Sequence, residues 1–195
     1  MAGLILAAGA STRMGKSKQL LPSGRGTLLE RILNEALKSN LDKVILVLGH
    51  RFEEIQAAIG QILHHSKLKV IENRQYEEGI SSSIIAGLSE VEESHDYVMI
   101  LLADIPYINA DLINYLLLRY QESHLPLGAI KIKAKRSHPV IFSRRMYHEL
   151  HKLRGDVGAR NLFMKYSDQV CLVEPDNFYD DSDIDTPEDY IKLGK

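Results

Sequence analysis

Short apolar runs at residues 3–8, 44–48, 68–71, 97–103, 127–132, 140–142 and 169–173 alternate, for most of the chain, with segments of helical period. Strands bounded by turn residues and separated by amphipathic helices predict an α/β fold: three layers, a mostly parallel mixed sheet with helices on both faces. The first helix has the sharpest signature. Thr27 and Glu30 have capping-box spacing, and Leu29, Ile32, Leu33, Ala36 and Leu37 follow as one apolar stripe. A second helix is expected over 53–63, with Ile55, Ala58, Ile59 and Ile62 inward. A third follows Gly79, where Ser81 or Ser82 can cap. Asn109, Asp156 and Thr186 are expected to cap later helices, the last with Pro187 at the favoured first position.

A length of 195 residues suits one domain over 1–195, and no repeat, low-complexity tract or linker interrupts it. The net charge of -2 argues against a generally basic nucleic-acid surface, while leaving room for a local cationic pocket. The opening residues lack the basic start of a secretory leader, and no run approaches the roughly 18 apolar residues that span a bilayer. A soluble, cytoplasmic protein with no membrane partner is expected. Cys171, the single cysteine, cannot form an internal disulfide and reads as a small apolar residue of a buried strand.

Residues 9–26 follow the first strand directly, are rich in glycine and polar residues, and carry Arg13, Lys16, Lys18 and Arg25. Such a loop can turn backbone N–H groups inward around an anion while arginine and lysine neutralise phosphate oxygens. A solvated surface loop is the bland alternative. A P-loop is the sharper one, because residues 10–17 depart from its pattern only at the first position, and Asp104 could serve as its acidic residue. A P-loop lysine, however, opens a helix facing the phosphates. Here Pro22, Gly24 and Gly26 intervene, and the first convincing helix waits until Thr27.

Leu6-Ala7-Ala8-Gly9-x-Ser11-x-Arg13-Met14-Gly15, followed by Lys18-Gln19-Leu20-Leu21-Pro22, resembles the signature of the sugar-nucleotide-transferase-like nucleotidyltransferases. More narrowly, it is similar to that of the molybdenum-cofactor cytidylyltransferases. The resemblance continues through Asn73, Gly79 and Ser81-Ser82-Ser83, through Leu102-x-Asp104-x-Pro106, and through His138-Pro139-Val140. It ends with Gly155-Asp156-x-Gly158-Ala159-Arg160 and the run from Asp183 to Tyr190. Each motif is weak by itself, but the ordered set covers nearly the whole chain. The glycine usual before His-Pro is Ser137 here, a departure on the acceptor side.

The resemblance implies a magnesium-dependent transfer of CMP from CTP to the phosphate of a molybdopterin-type cofactor, with release of pyrophosphate. Asp104 ends an apolar strand, so its carboxylate is expected at the sheet edge beside the first loop. Magnesium needs only one or two carboxylates when phosphates and waters complete its shell. By resemblance Asp185 is the second ligand, with Asp183 the alternative. Arg13 and Lys18 are expected on the nucleotide phosphates. Leu6 to Gly9, Ser11, Met14, Gly15, Asn73, Gly79 and Ser81 to Ser83 would line the nucleotide site. Ala8 would narrow the base pocket in favour of CTP. His138, Pro139, Asp156 and Arg160 would face the acceptor.

Three signals carry less. The basic run Lys131, Lys133, Lys135, Arg136 and His138 reads either as acceptor-facing or as lysines protecting an edge strand. His148 and His151 have helical spacing but no third ligand, and so read as surface residues, as does the pair His64 and His65. Other readings stay open: a nucleotidyltransferase acting on a sugar or polyol phosphate, or a non-catalytic carrier that delivers a nucleotide-bearing cofactor to a molybdenum enzyme.

Overall fold

Runs that are apolar at consecutive positions cannot show one face to water, so they become strands covered on both sides. The computed structural model of the chain describes residues 1–11, 14 and 17–193. Its first strand, β1 (Ala2–Ala7), is buried at every residue. A two-stranded hairpin follows, β2 (Pro22–Ser23) and β3 (Gly26–Thr27), and leads into α1 (Leu28–Lys38). Next come β4 (Lys43–Leu48), α2 (Phe52–Ile59), β5 (Leu68–Glu72), α3 (Ile80–Ser89), β6 (Tyr97–Leu102) and α4 (Ala110–Ser123). The chain continues with β7 (Leu127–Ile132), β8 (Lys135–Ser143), α5 (Tyr147–Leu150), α6 (Arg160–Lys165), β9 (Val170–Val173) and α7 (Pro187–Leu193).

A seven-stranded sheet has the order β5-β4-β1-β6-β8-β7-β9. Its first four strands are parallel, with Ala2 opposite Lys43 on one side and Val98 on the other. β8 runs antiparallel to both β6 and β7, and β9 pairs parallel to β7. The expected mostly parallel mixed sheet is thus what forms. Side-chain alternation sends Ile5, Leu46, Met99 and Leu101 into a core shared with α1, α2 and α4. It sends Leu4, Ile45, Val98 and Ile100 into a second core against α3, α5 and α6. After β5 the chain crosses back past β1 to lay down β6, so the strand order reverses at the β1–β6 junction. Reversals of this kind open a crevice at the strands' carboxyl ends, where ligands of α/β sheets bind.

Local capping follows the sequence closely at most ends. Thr27 Oγ1 accepts from the Glu30 N–H at 3.2 Å while Glu30 Oε2 accepts from the Thr27 N–H at 2.7 Å, a complete capping box. Asn109 caps α4 by accepting from the Leu112 N–H, and Thr186 caps α7 by accepting from the Asp189 N–H. Pro187 is the first residue of α7, as its fixed φ predicts.

Elsewhere the structure corrects the sequence reading. The expected 53–63 helix ends as an α-helix at Ile59, because Gly60 turns with φ of 51° into a 3₁₀ turn over Gly60–His64. Ser81 and Ser82 do not cap α3: Gly79 occupies the cap position, and Ser82 instead donates to the Gly79 carbonyl at 2.8 Å. Asp156 caps no helix of its own. The lysines of 131–135 do not guard an edge, since β7 and β8 are interior strands and the edges are β5 and β9. Cys171 is half-buried on edge strand β9 rather than in the core. Among the described residues no helix is long and apolar enough to cross a membrane.

Candidate active site

The crevice at the β1–β6 junction gathers residues from three separate stretches of chain. Asp104 lies just beyond β6, and the C-terminal segment returns alongside it: Ile184 is buried and its N–H donates to the Asp104 carbonyl at 2.9 Å. That backbone bond brings Asp185 beside Asp104. From the first loop, Lys18 reaches both carboxylates, its Nζ lying 2.6 Å from Asp104 Oδ2 and 3.2 Å from Asp185 Oδ1. Burial works against the charge on Lys18, yet the two carboxylates outweigh it and hold its pKa above the ordinary lysine value. Asp183, two residues before Asp185, is exposed. Partial burial, and then the negative charges of Asp185 and Asp104, raise its carboxyl above its usual value.

The loop that delivers Lys18 is fastened by Gln19, a motif residue whose role the sequence alone does not show. Gln19 is almost fully buried, and its Nε2 donates to the carbonyls of Ala7 at 2.9 Å and Gly9 at 3.0 Å. Its Oε1 accepts from the Ser11 hydroxyl at 3.3 Å, and the same hydroxyl oxygen accepts from the Lys18 N–H. Met14 closes a turn onto the Ser11 carbonyl. Arg13 and Gly15 lie outside the described residues. Past Lys18 the chain makes only a three-residue 3₁₀ turn, Lys18–Leu20, before β2. No α-helix starts here, and the helix N-terminus that a P-loop requires is missing among the described residues.

Two cavities meet at this crevice. One, of about 210 Å³, is lined by Ala8, Gly9, Lys18, Gln19, Gly79 and Asp104. Its neighbour, of about 420 Å³, is lined by Arg136, His138, Asp156, Arg160, Phe163 and Asp183. Leu6, Ile80, Leu102 and Asp156 border both, so the two adjoin. The largest cavity, about 710 Å³ beside α4 and the 175–180 segment, contains none of the expected site residues.

The wall between the two cavities is built on glycine. Gly79 has φ of 94°, and a Cβ there would lie 2.5 Å from the Gly155 carbonyl carbon and 2.7 Å from Asp156 Oδ1. This close approach lets Asp156 Oδ1 accept from the N–H of Ile80, the first residue of α3, at 3.2 Å. Asp156 therefore does cap a helix, but one that begins 76 residues earlier in the chain. Asn73 and the serines are mostly engaged with one another. Asn73 Nδ2 donates to Ser82 Oγ at 2.8 Å and Ser83 Oγ at 3.0 Å, fastening the end of β5 to α3. Ser83 borders the smaller cavity, whereas Ser81 is buried and borders neither.

On the larger cavity, His138 precedes Pro139 through a cis peptide bond, and burial followed by the charge of Arg136 pushes its pKa down to about 4. It is a neutral imidazole at any ordinary pH. His148 and His151 lie away from the crevice, paired with Glu149 and Glu92.

Asp104 and Asp185 fit a hard divalent cation. They already converge on the positive charge of Lys18, and Asp104 Oδ1 is buried with no hydrogen-bond partner among the described residues. Two carboxylates suffice where phosphates and water supply the other ligands. Among the described residues no cluster of three or more His, Cys, Asp or Glu side chains offers a fuller cage.

A family model described as the MobA-like NTP transferase domain matches residues 3–170. The chain is 29% identical to the molybdenum cofactor cytidylyltransferase of Escherichia coli over 96% of its length and 92% of that protein's. It is 32% identical to the purine catabolism protein PucB of Bacillus subtilis over 96% and 93%. The crystal structure of Rv0371c from Mycobacterium tuberculosis in complex with manganese superposes with a TM-score of 0.81 at 27% identity, over 98% of this chain and 96% of that one.

Proposed function

The chain belongs to the MobA-like NTP transferase family, and from that premise we propose that its residues 1–195 act as one domain that transfers CMP from CTP to the phosphate of a molybdopterin-type acceptor. An acceptor phosphate oxygen attacks the α-phosphorus of the nucleotide, the bond between that phosphorus and the bridging oxygen to the β-phosphate breaks, and pyrophosphate leaves. The observation that carries this reading is the convergence of Lys18, Asp104 and Asp185 beside the smaller cavity, which shares lining residues with the larger one. One cavity suits a donor nucleotide and the other an acceptor.

No general base is needed, because a phosphate monoester with a second pKa of about 6 is already largely dianionic near neutrality. His138, neutral and half-buried, fits a contact role rather than proton transfer. Asp104 and Asp185 would hold magnesium, which when bound supplies positive charge shared by donor and acceptor phosphates. Lys18 adds a second positive charge beside them, and Arg13, on the same loop, a third for the nucleotide phosphates. Gln19 keeps the loop in register against β1, so that Lys18 need not be reorganised during the reaction. Ala8 supports the pyrimidine: its methyl group lines the smaller cavity, where a purine would need more width. Likeness to the cytidylyltransferase from Escherichia coli points the same way.

Asp104→Ala is expected to abolish pyrophosphate release while leaving the circular dichroism spectrum unchanged; near-normal magnesium-dependent turnover would remove Asp104 from the mechanism. Calorimetric titration of CTP and GTP separately tests the base, and tighter GTP binding would overturn the cytidine assignment. CTP binding without pyrophosphate release, whatever phosphorylated acceptor is offered, would replace the enzyme by a carrier.

A further inference from the structure

The larger cavity carries two arginines that no carboxylate pairs with among the described residues. Arg136, on β8, is half-buried, and its guanidinium lies over the Phe163 ring at 4.3 Å from the centroid. Arg160 opens α6 on the same cavity wall. Neither forms an ion pair or hydrogen bond with a carboxylate among the described residues. Arg119 and Arg144, by contrast, pair with Glu122 and Asp96 at the surface. Desolvating a guanidinium beside a second one is unfavourable unless an anion completes the group. Burial, and then the charge of Arg160, lower the Arg136 pKa, and no acidic group opposes them. His138 Nδ1, also buried and without a hydrogen-bond partner among the described residues, belongs to a residue on the same wall. The cavity floor is apolar, formed by Ile84, Ile100 and Val140. Its acids, Asp156, Asp181 and Asp183, would repel a dianion that arrived without such a clamp.

We infer that Arg136 and Arg160 form a two-guanidinium clamp that holds the phosphate monoester of the acceptor, with its apolar or ring portion against Ile84, Ile100 and Val140. The inference rests on the proposed transfer reaction and names the feature by which that site selects its second substrate. Arginine forks match phosphate oxygens in a bidentate manner, and a stacked, pre-positioned fork loses little freedom on binding. The clamp recognises an anion on an apolar body rather than a neutral alcohol, so a phosphorylated acceptor is the class it takes.

Phenyl phosphate is a simple probe, since it joins a monoester to a planar apolar body. Its affinity would be measured by calorimetry on the full chain, with CTP binding measured separately on the same protein. Arg136→Met keeps the stem over Phe163 and removes the charge; Arg160→Met removes the charge at an exposed position where folding is not in question. Either change is expected to weaken phenyl phosphate binding roughly 10- to 100-fold, with CTP affinity within about twofold of wild type. Arg136→Lys is expected to retain part of the affinity. Unchanged phenyl phosphate binding in the Arg160 variant, or displacement of the probe by CTP in the wild type, would overturn the clamp. Loss of CTP binding by the wild-type chain itself would instead count against the transfer reaction.

Discussion

Lys18 occupies the position between Asp104 and Asp185 that a divalent cation is proposed to take, so one side chain neutralises the carboxylates and, when they are otherwise engaged, has its own charge to offer a phosphate. Lys18→Met leaves the carboxylates without that counter-charge. Manganese binding without nucleotide, followed by the electron paramagnetic resonance of the free ion, is expected to tighten about tenfold, while turnover falls. Unchanged manganese affinity would mean that Lys18 does not compete for the site. His138 carries a second residue-level expectation. Its folded pKa of about 4 lies below the ordinary value of 6.5, so the unfolded chain takes up a proton that the folded one refuses. Stability is therefore fully present above 6.5, falls as the pH drops from there to about 4, and loses about 3 kcal/mol across that window. Urea unfolding of the wild type and of His138→Gln at several pH values checks this: the variant should lose less, and identical slopes would remove His138 as the cause.

At the level of elements, what could be read in the sequence is what acts locally. The strands, the capping box at Thr27 and Glu30, the Asn109 cap and the Pro187 start are each specified by residues a few positions apart. Asp156 was legible as a cap but not as the cap of α3, because its partner Ile80 is brought to it only by tertiary folding. Gln19 went without a role for a similar reason: a glutamine looks like a surface residue until β1 is seen to offer it two carbonyls at the strand's end. The carboxylate pair was found through resemblance, since nothing in the spacing of Asp104 and Asp185 says that they touch one lysine. The junction of α3 with the 155–158 turn is the element most open to test. Gly79→Ala places a Cβ 2.5 Å from backbone that cannot yield, at a φ of 94°. A loss of about 2–3 kcal/mol is expected in urea unfolding, together with faster amide exchange at Ile80 as the Asp156 bond opens. A stability change below about 0.5 kcal/mol would show that the turn is not docked as described.

The whole molecule divides the work unequally between its sheet and its tail. The chain up to residue 170 supplies Lys18, Asp104 and most of the lining of both cavities, and the family match ends there, before the segment that returns with Asp185. That segment crosses back along the crevice by three anchors: the Tyr179 hydroxyl donates to the His138 carbonyl, Ile184 buries its side chain, and the Tyr190 hydroxyl donates to the Pro22 carbonyl. The second carboxylate is then only as well placed as the tail is well docked. Ile184→Ala should separate docking from global stability when compared with Leu150→Ala, a truncation in the core against α3, α5 and α6 at a residue that borders no cavity of the crevice. Both remove a buried aliphatic side chain, and each is expected to destabilise the fold by about 2–4 kcal/mol. Only Ile184→Ala should also weaken manganese binding and slow pyrophosphate release, toward the level of Asp185→Asn, under conditions where both variants remain folded by circular dichroism. Wild-type activity and manganese affinity in Ile184→Ala would mean that Asp185 is held by its other contacts and that the tail's docking is irrelevant to the site. A matching loss in Leu150→Ala would mean that the site simply follows overall stability.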